Sequence, residues 1–190
     1  MFNKPRLLTP GPTPLPERVR LALAQDMIHH RKPGFKKILL ETETMLQKLF
    51  GTEQPVLPLS CSGTGAMTAA VHGLFLPGET VIVVNGGKFG ERWSKIAAVR
   101  GLKVVEIDVA WGQAVTPAQV EQALREHPEA KGVFMQVCET STAAQHPVEA
   151  IARLTRTREV LLVADGISAV GISPCPMDAW GIDCLLTGSQ

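Results

Sequence analysis

"TVIVVNGGKFGERWSKIAAVRGLKVVEID", residues 80–108, holds one complete structural unit. Residues 80–85 are apolar and β-branched almost without a break, as expected of a strand covered on both faces. "GERWSKIAAVRG" (90–101) follows as an amphipathic helix closed by a glycine, and "KVVEID" (103–108) is a second strand. Strand, helix and strand in that order make a parallel pair joined by a crossover. The same alternation extends outward through "VLPLS" (56–60), "GVFMQV" (132–137), "VLLVAD" (160–165) and "CLLTG" (184–188), all predicted strands. Between them lie predicted helices. "FKKILLETETMLQKLFG" (35–51) sets Phe35, Ile38, Leu39, Thr42, Met45, Leu46 and Leu49 on one stripe, with Gly51 as the stop. "TPAQVEQALREH" (116–127) opens with Thr116 as cap, Pro117 at the first helical position and Gln119 completing a capping box. "PVEAIARLTRTR" (147–158) is a third amphipathic stretch. The repetition predicts an α/β fold: a mostly parallel sheet with helices on both faces, in three layers. Ligands of such sheets bind beyond the carboxyl ends of the strands.

The chain has 190 residues, with 19 basic and 18 acidic side chains and a net charge of +1. That length suits one sizeable core, or most of one domain of a larger enzyme. The charge balance argues against nucleic acid or a membrane surface as a partner. No apolar run approaches the roughly 20 residues of a membrane span. The opening "MFNKPRLLTPGPTPLP" lacks a signal-peptide layout, and its prolines predict an extended surface segment over residues 5–16. Cys61, Cys138, Cys175 and Cys184 form no C-x-x-C pair, and no histidine stands at a metal-ligand spacing from them. They read as small buried hydrophobes in a reducing, cytoplasmic protein, with no metal site.

Function is to be sought at the strand ends. In "CSGTGAMTAAVHGLF" (61–75), Ser62, Gly63 and Thr64 open a helix through a small turn, which offers free N–H groups to an anion such as phosphate. The dinucleotide fingerprint fails here, because Thr68 stands where its third glycine belongs, and no Walker lysine follows. In "GGKFGERW" (86–93), Phe89 projects from a glycine-rich loop, either as a lid on the core or as a platform for a planar ring. "CETST" (138–142) sets Glu139 beside three hydroxyls. Asp165 ends an apolar strand, where a buried carboxylate needs a cation or strong donors. A phosphate, a flat ring and a cationic ring nitrogen together describe pyridoxal 5'-phosphate (PLP).

Seven motifs occur in order: "TPGPTPLP" (9–16), "HHRKPGF" (29–35), "SGTGAM" (62–67), "GGKFGERW", "CETST", "ADGISAVG" (164–171) and "DCLLTGSQ" (183–190). With these the chain resembles the N-terminal part of a class V aminotransferase of fold type I, in the alanine–glyoxylate / serine–pyruvate aminotransferase group. The resemblance implies a PLP-dependent transferase large domain that moves an amino group from alanine or serine to glyoxylate or pyruvate. It assigns Ser62, Gly63, Thr64 and Gln190 to the cofactor phosphate and Phe89 to the ring face. Ile167 takes the opposite face, Thr140 the ring hydroxyl, and Asp165 the ring nitrogen as the catalytic acidic partner. Gly11 falls near the substrate, and His29 and His30 in a structural turn. The resemblance also implies a homodimer. Residues 1–25 then form an N-terminal segment, extended then helical, at the dimer contact. Residues 26–190 are an incomplete PLP-binding large domain, and the C-terminal small domain is absent from this chain. The Schiff-base lysine is expected directly after Gln190, and the arginine for the substrate carboxylate further on. Ala143 departs from the family pattern, which has glycine there, so that turn is expected to differ. The alternatives are a cysteine desulfurase or other class V lyase, which needs a mobile nucleophilic cysteine, and a non-catalytic PLP- or phosphate-binding domain.

Overall fold

Val81, Ile82, Val83 and Val84 have no exposed surface, so the strand they form, β1 (Thr80–Asn85), is covered on both faces. The computed structural model describes residues 7–189. Within them β1 is flanked by β2 (Lys103–Asp108) and β3 (Gly132–Gln136), and the sheet continues through β6 (Leu161–Asp165) to β7 (Cys184–Leu186). The order is β2-β1-β3-β6-β7 and every pairing is parallel. Two short strands, β4 (Cys138–Glu139) and β5 (Ala144–Gln145), make a separate antiparallel pair just past β3.

The helices divide between the two faces. One carries α3 (Gly63–Leu74) and α4 (Lys88–Arg100), packed with Val81, Val83, Phe134, Val163 and Leu186. The other carries α5 (Pro117–Glu126) and α6 (Val148–Arg156) over Ile82, Val84, Val133, Met135, Leu162 and Ala164. The α/β, three-layer expectation therefore holds. After β1 the chain steps to one edge of the sheet, and after β2 it crosses back to work toward the other. The strand order thus reverses between β1 and β3, the place where ligands of doubly wound sheets bind.

The predicted capping box on α5 is present: Gln119 N–H donates to the Thr116 hydroxyl at 3.3 Å, and Thr116 N–H to Gln119 Oε1 at 2.9 Å. Two other expectations change. "VLPLS" forms no strand; Pro58 lacks the N–H a ladder needs, and Leu57 and Leu59 stay exposed. The stripe of α2 (Pro33–Phe50) has the expected period, yet Ile38, Leu39, Met45 and Leu49 face outward, and only Phe50 of this helix is buried. Of that face Leu46 reaches the core, and the other side chains stay largely open among the described residues. Residues 7–16 run without regular structure to α1 (Glu17–Leu23), which buries none of its residues. A third helix-like turn, α7 (Met177–Trp180), leads into β7.

Ala143 adopts the left-handed backbone that its side chain disfavours, with φ +58°, and its N–H donates to Glu139 O at 2.8 Å. Alanine thus holds a positive-φ turn here, a backbone it was expected to avoid. Such a conformation costs an alanine about 1 kcal/mol. Ala143→Gly is expected to raise the unfolding free energy by about that amount in denaturant titration; an unchanged or lowered value would show that the turn is not left-handed in solution.

Candidate active site

Two helices start at the carboxyl edge of the sheet, and their N-termini are treated differently. At α3, the Ser62 hydroxyl accepts the Gly65 N–H at 3.3 Å, and the Ser62 carbonyl accepts from Ala66. The N–H groups of Gly63 and Thr64, one turn too early for an intrahelical partner, remain for an outside acceptor. They lie at the positive end of a 12-residue helix, where an anion is favoured.

At α4 the corresponding groups are already taken. Lys88 N–H donates to the Ser141 hydroxyl at 3.1 Å, and Phe89 and Gly90 N–H donate to Glu139 Oε2 at 3.2 and 3.0 Å. Glu139 has no exposed surface, and its other oxygen accepts from Ser141 N–H and from the Ser141 hydroxyl at 2.6 Å. The carboxylate sits so close to the chain that a Cβ on Gly87 would fall 2.5 Å from Ser141 Oγ and 2.6 Å from Glu139 Cδ. Phe89 thus belongs to the first turn of a capped helix, where the sequence suggested a flexible loop. Its ring is overlaid by the Arg92 guanidinium, 4.7 Å from the centroid, and Arg92 also donates to the Thr64 hydroxyl at 3.1 Å. Neither Arg92 nor the capping role of Glu139 was visible in the sequence. Arg92 follows Phe89 by three residues, which places the two on one helix face, but its second partner lies on α3.

Asp165 ends β6 and is 4% exposed. One oxygen accepts the Ile167 N–H at 2.9 Å. Burial pushes its carboxyl up to about 6; the Ile167 hydrogen bond opposes this, the negative Glu139 adds to it and Arg92 counters it. No lysine, arginine or histidine forms a salt bridge with it among the described residues.

The expected site residues do converge. Ile167 packs on the phosphate turn so closely that a Cβ on Gly63 would lie 2.3 Å from Ile167 Cδ1. The contacts run from Asp165 through Ile167 to Gly63 and Thr64, on through Arg92 to Phe89, and then by the α4 cap to Glu139. Thr140, next in the chain, closes the circuit with a hydroxyl–hydroxyl bond to Ser168. Gly11 is exposed in a bend, and no described contact brings it to this circuit. Gln190 lies outside the described residues. His29 and His30 stack on each other, ring centroids 4.9 Å apart, in an exposed turn. Among the described residues no group of three or more His, Cys, Asp or Glu could hold a metal ion, and no helix is long and apolar enough to cross a membrane.

A parallel sheet with this switch point and this circuit of residues is the large domain of a fold type I transferase, and known proteins agree. The alanine–glyoxylate aminotransferase of Nostoc sp. superposes with a TM-score of 0.92 at 31% identity, over 96% of this chain and 48% of that one. A serine–glyoxylate aminotransferase of Methylorubrum extorquens is 32% identical over 97% of this chain and 47% of its own length. A Synechococcus protein named soluble hydrogenase, small subunit, is 36% identical over all of this chain and 50% of its own. Residues 10–190 match the family model described as Aminotransferase class-V. The chain belongs to that family, and it spans about half the length of these relatives.

The buried carboxylate suits a cationic ring nitrogen, because it lacks a salt-bridge partner of its own. Without such a partner the ionised form is a burden. The folded-state pKa lies above the unfolded value, so Asp165 contributes stability below about pH 4. That contribution is lost as pH rises through about 6. The shift corresponds to about 3 kcal/mol. In cofactor-free protein, Asp165→Asn should therefore gain stability relative to wild type by up to that amount between pH 4 and 7. Equilibrium unfolding of both proteins across this range measures the gap; a gap independent of pH would show that Asp165 is solvated in the free protein.

Proposed function

We propose that the full-length protein is a PLP-dependent aminotransferase that moves an amino group from alanine or serine to glyoxylate or pyruvate. The observation that carries the reading is the pairing of an uncommitted helix N-terminus at α3 with a buried, cation-free carboxylate at the tip of β6. An anion and a cation of one ligand fit these two positions. The bound cofactor supplies an electron sink for the carbanion formed at the substrate α-carbon.

The chain's own residues have distinct tasks in this reading. Ser62 presents the α3 turn, and the Gly63 and Thr64 amides receive the phosphate, with Gln190 assisting. Phe89 offers a ring face held by Arg92 on its other side, and Ile167 packs opposite. The Thr140 hydroxyl, which can donate and accept at once, serves Ser168 and the ring hydroxyl together. Asp165 stays ionised and keeps the ring nitrogen protonated. Gly11 borders the substrate. A cysteine-based lyase is less supported, since burial raises the thiols of Cys138 and Cys184 and pushes Cys175 up to about 11; Cys61, expected to be buried, is instead exposed just before α3.

The assembly is a homodimer in this proposal. The outward-facing Leu21, Leu23, Ile38, Leu39, Met45 and Leu49 of α1 and α2 support a contact built from residues 1–25 and the neighbouring helix. Residues 26–190 make up the incomplete large domain. The unpaired cysteines support a cytoplasmic setting.

Full-length protein incubated with PLP should turn yellow and bleach on addition of alanine or serine. Protein that stays colourless would overturn the reading. Asp165→Asn should keep the fold but lose transamination by roughly a hundredfold, and near-normal turnover would remove Asp165 from its role. Ser62→Ala should weaken cofactor retention about tenfold or less, because backbone amides share the phosphate.

A further inference from the structure

Gln136 is the last residue of β3, pairs in register with Asp165 on β6, and is 1% exposed. Among the described residues neither its amide nitrogen nor its amide oxygen has a hydrogen-bond partner. A buried amide left in this state is costly, and native proteins rarely keep one without a use. Side chains alternate along a strand, so Gln136 shares a face with Phe134, and Asp165 shares the same face with Val163. Phe134 and Val163 both belong to the α3/α4 side of the sheet. Neighbouring strands lie about 4.8 Å apart, within reach of a glutamine side chain turned toward an adjacent carboxylate.

A second orphan lies on the same side. Trp93 of α4 has no exposed surface, packs on Phe134 at 5.1 Å between ring centroids, and its indole N–H is also unpartnered. Side chains on a helix lean toward its N-terminus. The start of α4 lies at the strand ends, since a Cβ on Gly90 would meet Val84 O at 2.7 Å. Trp93 therefore leans from the level of Phe134 toward that of Gln136. The groups are complementary: an indole donor can meet the amide oxygen, and one of the two amide N–H groups the carboxylate oxygen not bonded to Ile167.

We propose that Gln136 is a positioning residue for the cofactor. When the cofactor binds, its amide N–H donates to Asp165 and its carbonyl accepts the Trp93 indole N–H, bonds that the cofactor-free structure does not make, and the resulting relay holds the carboxylate ionised and aimed at the ring nitrogen. The inference rests on the reading of Asp165 as the partner of that nitrogen. Gln136 touches neither substrate nor cofactor and acts through Asp165 alone. The other charged or titratable groups that act on Asp165 are Arg92 from α4 and Glu139 from β4; Cys184 lies one ladder step back on β7, and His146 acts on Glu139 in turn.

The test uses full-length protein with Gln136→Leu, similar in size but unable to donate. In the cofactor-free state its thermal midpoint should equal or exceed that of wild type, because a buried orphan amide is gone. Its affinity for PLP should fall about tenfold, the loss of one hydrogen bond to a charged group. The loss should deepen as pH drops through about 6, because Asp165 then protonates more readily than in wild type. Trp93→Phe removes the N–H together with part of a fully buried ring, so it should lower the thermal midpoint through the cavity while moving the pH profile of affinity the same way by a smaller factor. If Gln136→Leu binds PLP within twofold of wild type at every pH, or if its cofactor-free midpoint falls, Gln136 is a packing residue and the relay is refuted. Failure of wild type itself to bind PLP is a separate result, which refutes the cofactor reading instead.

Discussion

A carboxylate with no exposed surface holds the site together. Glu139 takes the first N–H groups of α4, so a residue just past β3 fixes the start of a helix that begins 50 residues earlier. This one cap sets the depth and direction of Phe89, because Phe89 donates one of the capping bonds. It demands glycine at 87, where any side chain would collide with the carboxylate. It also assigns the two helix N-termini. An anion is favoured at each positive end; the chain supplies one at α4 and leaves the end at α3 open. Charge-assisted bonds of this kind are roughly twice as strong as neutral ones, which suits an element that must not shift when the ligand arrives.

The sheet was readable because buried parallel strands announce themselves as unbroken apolar runs, and β1, β3 and β6 are such runs. The α5 cap was readable because all its parts lie within four residues. Asp165 was readable as a polar residue that abruptly ends an apolar strand. What escaped shares one trait, a partner far away in sequence. The glycines of 86–90 look like a loop until Glu139 is brought to them. Arg92 looks like an ordinary helix arginine until α3 offers it Thr64. "VLPLS" failed for the opposite reason: the apolar pattern outweighed Pro58, a local signal that should have ruled against a strand. The α2 stripe was read correctly as a stripe, but periodicity does not say whether the partner lies in the same chain.

His146 is another group that sequence alone could not place. Its Nδ1 accepts the Val115 N–H at 3.1 Å, which puts the proton of the neutral ring on Nε2, facing Gly86. Burial lowers its proton affinity, and the nearby Glu139 charge works against that. The imidazole therefore braces the segment after β2 beneath the turn that leads into α4. Glu139, Ser141 and His146 thus hold the Gly86–Gly87 turn from two sides. That support fixes the backbone of Phe89, and Arg92 holds its ring.

Three unfavourable features lie at this edge, besides others such as the positive φ of Glu159 before β6 and the buried, unpartnered Ser94 hydroxyl of α4. Ala143 holds a positive φ, Asp165 keeps a charge that burial opposes, and Gln136 has an amide with nothing to bond. By contrast, the valines of β1, and Ile151 and Leu162 over the other face, are fully enclosed apolar side chains. Such a distribution has a thermodynamic consequence. A ligand that brings a cation to Asp165 relieves a penalty already present in the empty protein. Part of its affinity is then stored in the fold before binding, and ligand-bound protein gains stability by mass action over the free form. The same argument explains why the strain lies beside rigid elements. A strained carboxylate on a mobile loop would relax into water, whereas one at the end of a central strand, with its backbone N–H and C=O committed to neighbours on both sides, has no such escape.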